Sequence, residues 1–177
     1  MRNWTRPLVA TLLVAVLLAG VSCSSGDDGP TAPPPAPAAA PSALLGPLSP
    51  VVSLLTCSPQ PYVTVTETIG PKGGTITVGE HQLVIPRGAL ERKTTITAEQ
   101  IKGSVNSVRF SPEGLRFERP ARLTLSYANC IPLPLPKKVA YTNELLQILE
   151  VLRSLDLRKE KKVSSDIDHF SRYAVAY

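Results

Sequence analysis

Few side chains in this 177-residue sequence are of the types that carry out chemistry. The chain has three cysteines, Cys23, Cys57 and Cys130, and two histidines, His81 and His169. Thiolate and imidazole groups are the usual ligands of zinc, but cysteines that are bridged to each other would be lost to such a site. No glycine-rich phosphate-binding loop is present. The sequence therefore does not favour a metal-dependent enzyme, and it gives no reason to expect a metal or a cofactor.

The excess of basic residues does not indicate a nucleic-acid partner. Lysines and arginines number 19 against 14 acidic residues, with a pI near 9.3, but they are scattered and aromatic residues do not interleave with them. The densest cluster, RKEKK at residues 158–162, would suit anionic lipid headgroups or a solvated loop beside a sheet edge. Asp166 and Asp168 alternate along a strand, which favours solvated side chains over a calcium site.

The first 22 residues have the layout of a secretory signal. A short basic region with Arg2 and Arg6 precedes the apolar run 7–21, which is shorter than the roughly 20 residues of a spanning helix. The sequence Leu-Ala-Gly-Val-Ser-Cys ending at Cys23 resembles the lipobox of bacterial lipoproteins. The resemblance implies cleavage before Cys23, diacylation of its sulfur, and anchoring to the cell envelope. Ser24 is typical of lipoproteins sent to an outer membrane, where the cell has one. The alternative is ordinary secretion with Cys23 as a free thiol.

Lipidation of Cys23 would leave Cys57 and Cys130 as an even pair in an oxidising compartment. A disulfide between them would stabilise the fold by roughly 4 kcal/mol. Two buried free cysteines are the alternative.

Residues 23–61 are predicted to be a tether rich in proline and alanine. The segment PTAPPPAPAAAP at 30–41 favours an extended polyproline II conformation. Residues 43–56 are too apolar for a free linker, and they would either pack against the domain or lie at the membrane surface.

From residue 62 to residue 177 the sequence predicts an antiparallel β-sandwich. Short runs of β-type residues are separated by glycine and proline, and the segments 86–88 and 112–114 have turn chemistry. The predicted strands are 62–66, 75–78, 82–85, 94–98, 107–110, 122–127, 138–141 and 172–177.

The segment 144–155 has two interpretations. Leu145, Ile148, Leu149 and Leu152 have helical spacing, and Asn143 could cap a helix there. Residues 147–152 also fit an apolar strand, which the all-β context favours.

Three stretches of the chain resemble the ZU-five domain, named for zona occludens and the receptor uncoordinated-five. They are Gly70–Leu90 with its Gly-Gly and "IP.GAL" elements, Phe110–Leu125 with "P.GL.F..P..L", and His169–Tyr173 with "HFS". The elements occur in the family's order and cover residues 70–177 except 129–165. The resemblance implies a β-sandwich that is used for protein interaction.

Some ZU-five relatives with this His-Phe-Ser sequence cleave themselves between Phe and Ser. Carried over, the resemblance implies that Ser171 Oγ attacks the Phe170 carbonyl while His169 accepts the hydroxyl proton. The alternative is a structural strand element, with Phe170 in the core and the other two residues in local hydrogen bonds.

Together these features predict a lipoprotein whose sandwich is a non-catalytic binding or scaffolding module. The expected partners are the membrane, through lipid on Cys23, and an envelope protein or surface ligand. Self-cleavage at Phe170–Ser171 and a purely structural role are the alternatives.

Overall fold

The computed structural model describes residues 52–177. Within this range the chain forms thirteen β-strands and no helix, and every strand pairing is antiparallel. The strands are β1 (Thr56–Gln60), β2 (Val63–Ile69), β3 (Gly74–Val78), β4 (His81–Ile85), β5 (Thr94–Gln100), β6 (Gly103–Val105), β7 (Ser107–Ser111), β8 (Arg116–Ser126), β9 (Lys138–Thr142), β10 (Ile148–Val151), β11 (Ser154–Leu157), β12 (Lys162–His169) and β13 (Arg172–Ala176).

The strands form two sheets that enclose one core, so the predicted all-β sandwich is confirmed. One sheet has the strand order β10-β9-β13-β7-β5-β2 and the other β11-β12-β8-β4-β3, while β1 and β6 form a separate two-stranded ribbon. β4 shows why these segments fold as they do, because its residues alternate between buried and exposed with the period of two of a half-buried strand. The core takes side chains from both sheets, including Ile76, Leu83, Ile96, Phe110, Leu123 and Tyr173. Residues 52–177 form no helix that could span a membrane.

The sandwich has two distinct ends. The loop end carries the loop 127–137 and the hairpin turn 158–161. The crossover end carries the turn 143–147 and residues 170–171, where the chain passes from β12 in one sheet to β13 in the other. β9 runs from the loop end to the crossover end.

The folded part begins earlier than Tyr62, where the sequence placed its start. Leu55 is fully buried in the core, and Leu54 forms a β-bridge with Ala176. Burying an aliphatic side chain stabilises a fold by about 2 kcal/mol, which explains why this apolar stretch joins the domain. The tether predicted over 23–61 is therefore wrong for residues 52–61, and the rest of it lies outside the described residues.

The ambiguous segment forms a strand, as the all-β context favoured. β10 covers Ile148–Val151, and Asn143 holds a tight turn instead of capping a helix. The Asn143 side-chain oxygen accepts hydrogen bonds from the backbone N–H groups of Leu145 and Gln147, both at 3.0 Å.

The glycine motifs of the sequence meet in space at the crossover end. A Cβ on Gly73, where φ is 77°, would lie 2.4 Å from the Ile85 carbonyl oxygen. Only glycine permits both this left-handed conformation and this approach. The N–H of Gly88 donates to the Pro71 carbonyl at 2.9 Å. The Gly-Gly and "IP.GAL" elements are thus two halves of one packed corner.

Candidate functional site

The His169-Phe170-Ser171 triplet forms the crossover between the two sheets. β12 ends at His169 and β13 begins at Arg172, so only Phe170 and Ser171 connect them. The Phe170 ring is fully buried. It stacks on Phe110 with ring centroids 5.3 Å apart and meets the edge of Phe117 at 5.0 Å. This aromatic cluster fixes the position of the peptide bond that the sequence singled out.

Backbone hydrogen bonds hold the crossover on both sides. The Phe170 N–H donates to the Leu115 carbonyl at 2.8 Å, and the Phe170 carbonyl accepts from the Gly114 N–H at 3.0 Å. The Ser171 carbonyl accepts from the Phe110 N–H at 3.1 Å. The "P.GL.F" and "HFS" elements of the sequence are therefore direct partners in the fold.

The His169 ring lies beside the Phe170 carbonyl rather than the Ser171 hydroxyl. Its Nδ1 is 3.3 Å from the Phe170 oxygen, and its ring meets Tyr141 edge-on at a centroid distance of 5.1 Å. The Tyr173 hydroxyl donates to the His169 carbonyl at 2.7 Å. Among residues 52–177, the Ser171 hydroxyl makes no hydrogen bond with His169. An open cavity of about 330 Å³ adjoins the triplet and is also lined by Glu113, Gly114, Arg116 and Tyr141.

This arrangement contains some of the parts of an acyl-transfer site. The Gly114 N–H already points at the oxygen on which negative charge would develop if the Phe170 carbonyl were attacked, which is the role of an oxyanion-hole donor. A general base must reach the proton that it removes. Here the imidazole would have to turn from the carbonyl toward Ser171.

Cys57 and Cys130 form a disulfide, as predicted for this pair. The bridge lies at the loop end of the sandwich, opposite the crossover. Flanking backbone bonds support it, from the Ser58 N–H to the Asn129 carbonyl at 2.9 Å and from the Ile131 N–H to the Thr56 carbonyl at 3.0 Å. The bridge thereby fastens β1 to the start of the loop 127–137.

The histidines and cysteines do not form a zinc site together. His81 begins β4 near the loop end, whereas His169 ends β12 at the crossover, and Cys57 and Cys130 are bridged to each other. Among residues 52–177, no group of three or more His, Cys, Asp or Glu is placed to hold a metal ion. Asp166 instead accepts hydrogen bonds from Arg122, at 3.0 and 3.3 Å.

His81 is a buried, neutral histidine. It is fully excluded from solvent, and its Nδ1 accepts a hydrogen bond from the Ser126 N–H at 3.1 Å. Its Nε2 has no partner among the described residues. Burial lowers the pKa of His81 from 6.5 to about 4, because the charged ring would lose its hydration.

We expect the stability of the domain to fall by about 3 kcal/mol between pH 6.5 and pH 4 through His81 alone. In this window the unfolded chain binds a proton on His81 that the folded chain does not, so acid favours unfolding. Well above pH 6.5, at about pH 7.5, the residue is neutral in both states and contributes no further pH dependence. The measurement is urea unfolding at pH 7.5 and pH 4.5 for the native chain and His81→Asn, which can keep a side-chain acceptor for Ser126. An equal loss of stability in both proteins would contradict the assignment, because the carboxylates titrate in both.

Cys23 and the predicted signal peptide at 1–22 lie outside the described residues. The chain matches no protein-family model, and no curated protein is significantly similar to it. The resemblance to ZU-five domains and to lipoproteins therefore stays a prediction from the motifs.

A buried polar cluster at the loop end was not predicted from the sequence. Lys137 is only 4% exposed, and its Nζ donates to the carbonyls of Leu133 at 2.8 Å and Leu135 at 2.5 Å. Asp156 accepts from the Tyr127 hydroxyl at 2.7 Å and from the Lys137 N–H at 2.9 Å. Burial and the Asp156 hydrogen bond raise the pKa of Tyr127 to about 12. The available signal was the sequence IPLPLP at 131–136, which is too apolar for an ordinary solvated loop.

Proposed function

We propose that this protein is a lipid-anchored binding module of the cell envelope, and that its sandwich holds a partner without catalysis. The signal-like start and the lipobox at Cys23 support the anchoring, at the outer membrane where one exists. The partner is an envelope protein or surface ligand with an apolar pocket. The turn 143–147 at the crossover end carries the proposal.

This turn presents an apolar side chain on a backbone that is held by hydrogen bonds. Leu145 is 80% exposed, yet the backbone on both sides of it is held. In addition to the Asn143 hydrogen bonds, the Arg172 Nη1 donates to the Glu144 carbonyl at 2.8 Å. A backbone ordered in advance loses little conformational entropy on binding. A leucine that only contacted solvent would not require these backbone hydrogen bonds, so they favour a role for Leu145 in binding.

An ion-pair network extends this surface across the six-stranded sheet. Arg109 contacts the Glu144 carboxylate at 3.2 Å and the Glu99 carboxylate at 2.8 Å, and the Tyr62 hydroxyl also bonds to Glu99. The Arg109 hydrogen bond, followed by that of Tyr62, lowers the pKa of Glu99. Tyrosine and arginine are enriched among the residues that dominate binding energy in protein interfaces. The network therefore places suitable contact groups beside Leu145.

The test is a photo-crosslinking residue at position 145 of the full chain, in the cell that makes it. Leu155 on β11 is the matched control, because it is also an exposed leucine, at 62%, but lies on the other sheet. We expect one dominant adduct from position 145, several-fold weaker labelling from position 155, and loss of the adduct in Asn143→Ala. Equal labelling from both positions would refute a binding surface at the turn. Incorporation of a labelled fatty acid into the full chain, and its loss in Cys23→Ser, would test the lipid anchor separately.

Self-cleavage between Phe170 and Ser171 is the second candidate, and the Gly114 N–H on the Phe170 carbonyl favours it. Ser171 Oγ would attack that carbonyl carbon as its proton passes to His169, and the C–N bond would break as the Ser171 nitrogen takes the proton. The resulting ester would then be hydrolysed by water, leaving a carboxylate on Phe170 and the hydroxyl on Ser171.

The intact mass of a Val52–Tyr177 fragment in denaturant distinguishes the two candidates. This fragment contains every strand and core residue described above and the disulfide. A passive binding module gives one mass for the whole fragment. A separate Ser171–Tyr177 peptide that disappears in Ser171→Ala would establish self-cleavage.

A further inference from the structure

The loop end of the sandwich exposes an apolar loop. Residues 131–136 read Ile-Pro-Leu-Pro-Leu-Pro, without one polar side chain. Ile131 is 47% exposed and Leu135 is 50% exposed. Six consecutive apolar residues on a surface are unusual in a soluble domain, and they typically mark a contact with a partner or a membrane.

The loop is held open by the groups around it. The buried Lys137 ammonium bonds to two of its carbonyls, the disulfide fixes its start at Cys130, and the prolines limit its backbone freedom. Leu133 packs against the core, whereas Ile131 and Leu135 stay exposed. Their exposure is a built feature of the domain.

A basic turn lies directly beside the loop. The β11–β12 hairpin turn carries three basic residues, Arg158, Lys159 and Lys161, and one acidic residue, Glu160, all exposed. A cavity of about 210 Å³ between turn and loop is lined by Ile131, Leu133 and Leu135 on one side and by Arg158 and Lys161 on the other. Arg158 pairs with Asp156 at 3.2 Å. Within residues 52–177, Lys159 and Lys161 take part in no salt bridge.

The N-terminal part of the chain joins the domain at the same end. Ser53 exchanges hydrogen bonds with Tyr177, at 3.2 and 3.0 Å. The neighbouring Ala176 pairs with Lys138, which follows the apolar loop. Ser53, near the start of the described residues, therefore lies close to this loop and away from the turn that bears Leu145.

We propose that the loop end docks on an anionic lipid surface. The apolar loop 131–136 enters the boundary between headgroups and acyl chains, while Lys159 and Lys161 meet the phosphates. Apolar side chains flanked by basic residues are the combination that binds such surfaces. This inference goes beyond the proposed function, since it concerns the opposite end of the domain and requires no lipid on Cys23. It also orients the molecule, with Leu145 facing away from the membrane.

The test measures how the Val52–Tyr177 fragment sediments with vesicles. We expect it to bind vesicles of phosphatidylglycerol and phosphatidylcholine in equal parts, and to bind pure phosphatidylcholine at least ten-fold more weakly. Each basic residue near an anionic surface contributes about five-fold in affinity. The double variant Lys159→Glu/Lys161→Glu, in an exposed turn, should therefore lose at least ten-fold. Equal binding to both vesicle types would overturn the proposal.

Tryptophan variants report which end inserts. The only tryptophan of the chain is Trp4, which the fragment lacks, so Leu135→Trp and the control Leu145→Trp each contain a single one. We expect a blue shift and quenching by brominated lipid for Leu135→Trp, and neither for Leu145→Trp. Equal quenching of both would overturn the proposal, as would a fragment that ignores vesicles but binds a proline-recognition domain. Neither failure affects the crosslinking result at position 145, so the two proposals are tested independently.

Discussion

The double variant Cys57→Ala/Cys130→Ala is expected to lose about 4 kcal/mol of unfolding free energy. The bridge joins residues 73 positions apart, so in the chain-entropy model it removes a large part of the freedom of the unfolded chain. Domains of this size are stable by only about 5–15 kcal/mol, so such a loss is a large share of the total. Urea unfolding of the Val52–Tyr177 fragment under oxidising conditions measures it.

A reducing agent supplies the control for this prediction. It should lower the urea midpoint of the native fragment toward that of the double variant and leave the variant unchanged. A native fragment whose midpoint is insensitive to reduction would show that the bridge does not stabilise the fold. The variant also tests the loop end, because release of Cys130 should loosen the loop 131–136 before it affects the crossover.

Strands with alternating apolar residues were predictable, whereas a strand with two adjacent buried serines was predictable only in part. β4 and β5 bury every second residue, and both were predicted close to their observed bounds. Only the end of β12, with Asp166 and Asp168, was placed on a strand, because the adjacent buried residues Ser164 and Ser165 hide the alternation of its first half. The Ser165 hydroxyl donates to the Arg153 carbonyl at 2.9 Å. Such a strand is detected by its hydrogen bonds, which the sequence does not display.

The candidate site was also predictable only in part, because its hydrogen-bond partners are distant in the sequence. The resemblance drew attention to His169, Phe170 and Ser171, but their partners Gly114 and Leu115 are more than fifty residues earlier in the chain. Only the crossing of the chain from one sheet to the other brings the two segments together. Leu145 was read as part of a possible helix, because its spacing does not reveal that Asn143 closes a turn.

Phe170→Ala is expected to destabilise the domain by about 3–5 kcal/mol. The ring is fully buried, and it is packed between Phe110 at 5.3 Å and Phe117 at 5.0 Å. Truncation leaves a cavity where the two sheets meet. The backbone hydrogen bonds from the crossover to Gly114 and Leu115 would keep the backbone in place, so the cavity would not collapse. Thermal and urea unfolding of the fragment measure the loss, and Phe170→Leu, which keeps most of the volume, should lose markedly less.

Ser171→Ala is the matched change at the adjacent position. Ser171 is buried, but its hydroxyl makes no hydrogen bond among residues 52–177, so the change breaks no hydrogen bond and should cost less than about 0.5 kcal/mol. If Phe170→Ala loses much unfolding free energy and Ser171→Ala loses almost none, the main role of the triplet is to pack the two sheets together. A small loss of unfolding free energy for Phe170→Ala would contradict that role. It would mean that the stabilisation from the buried ring is offset by strain in the Phe170–Ser171 peptide bond, and such strain is what self-cleavage requires.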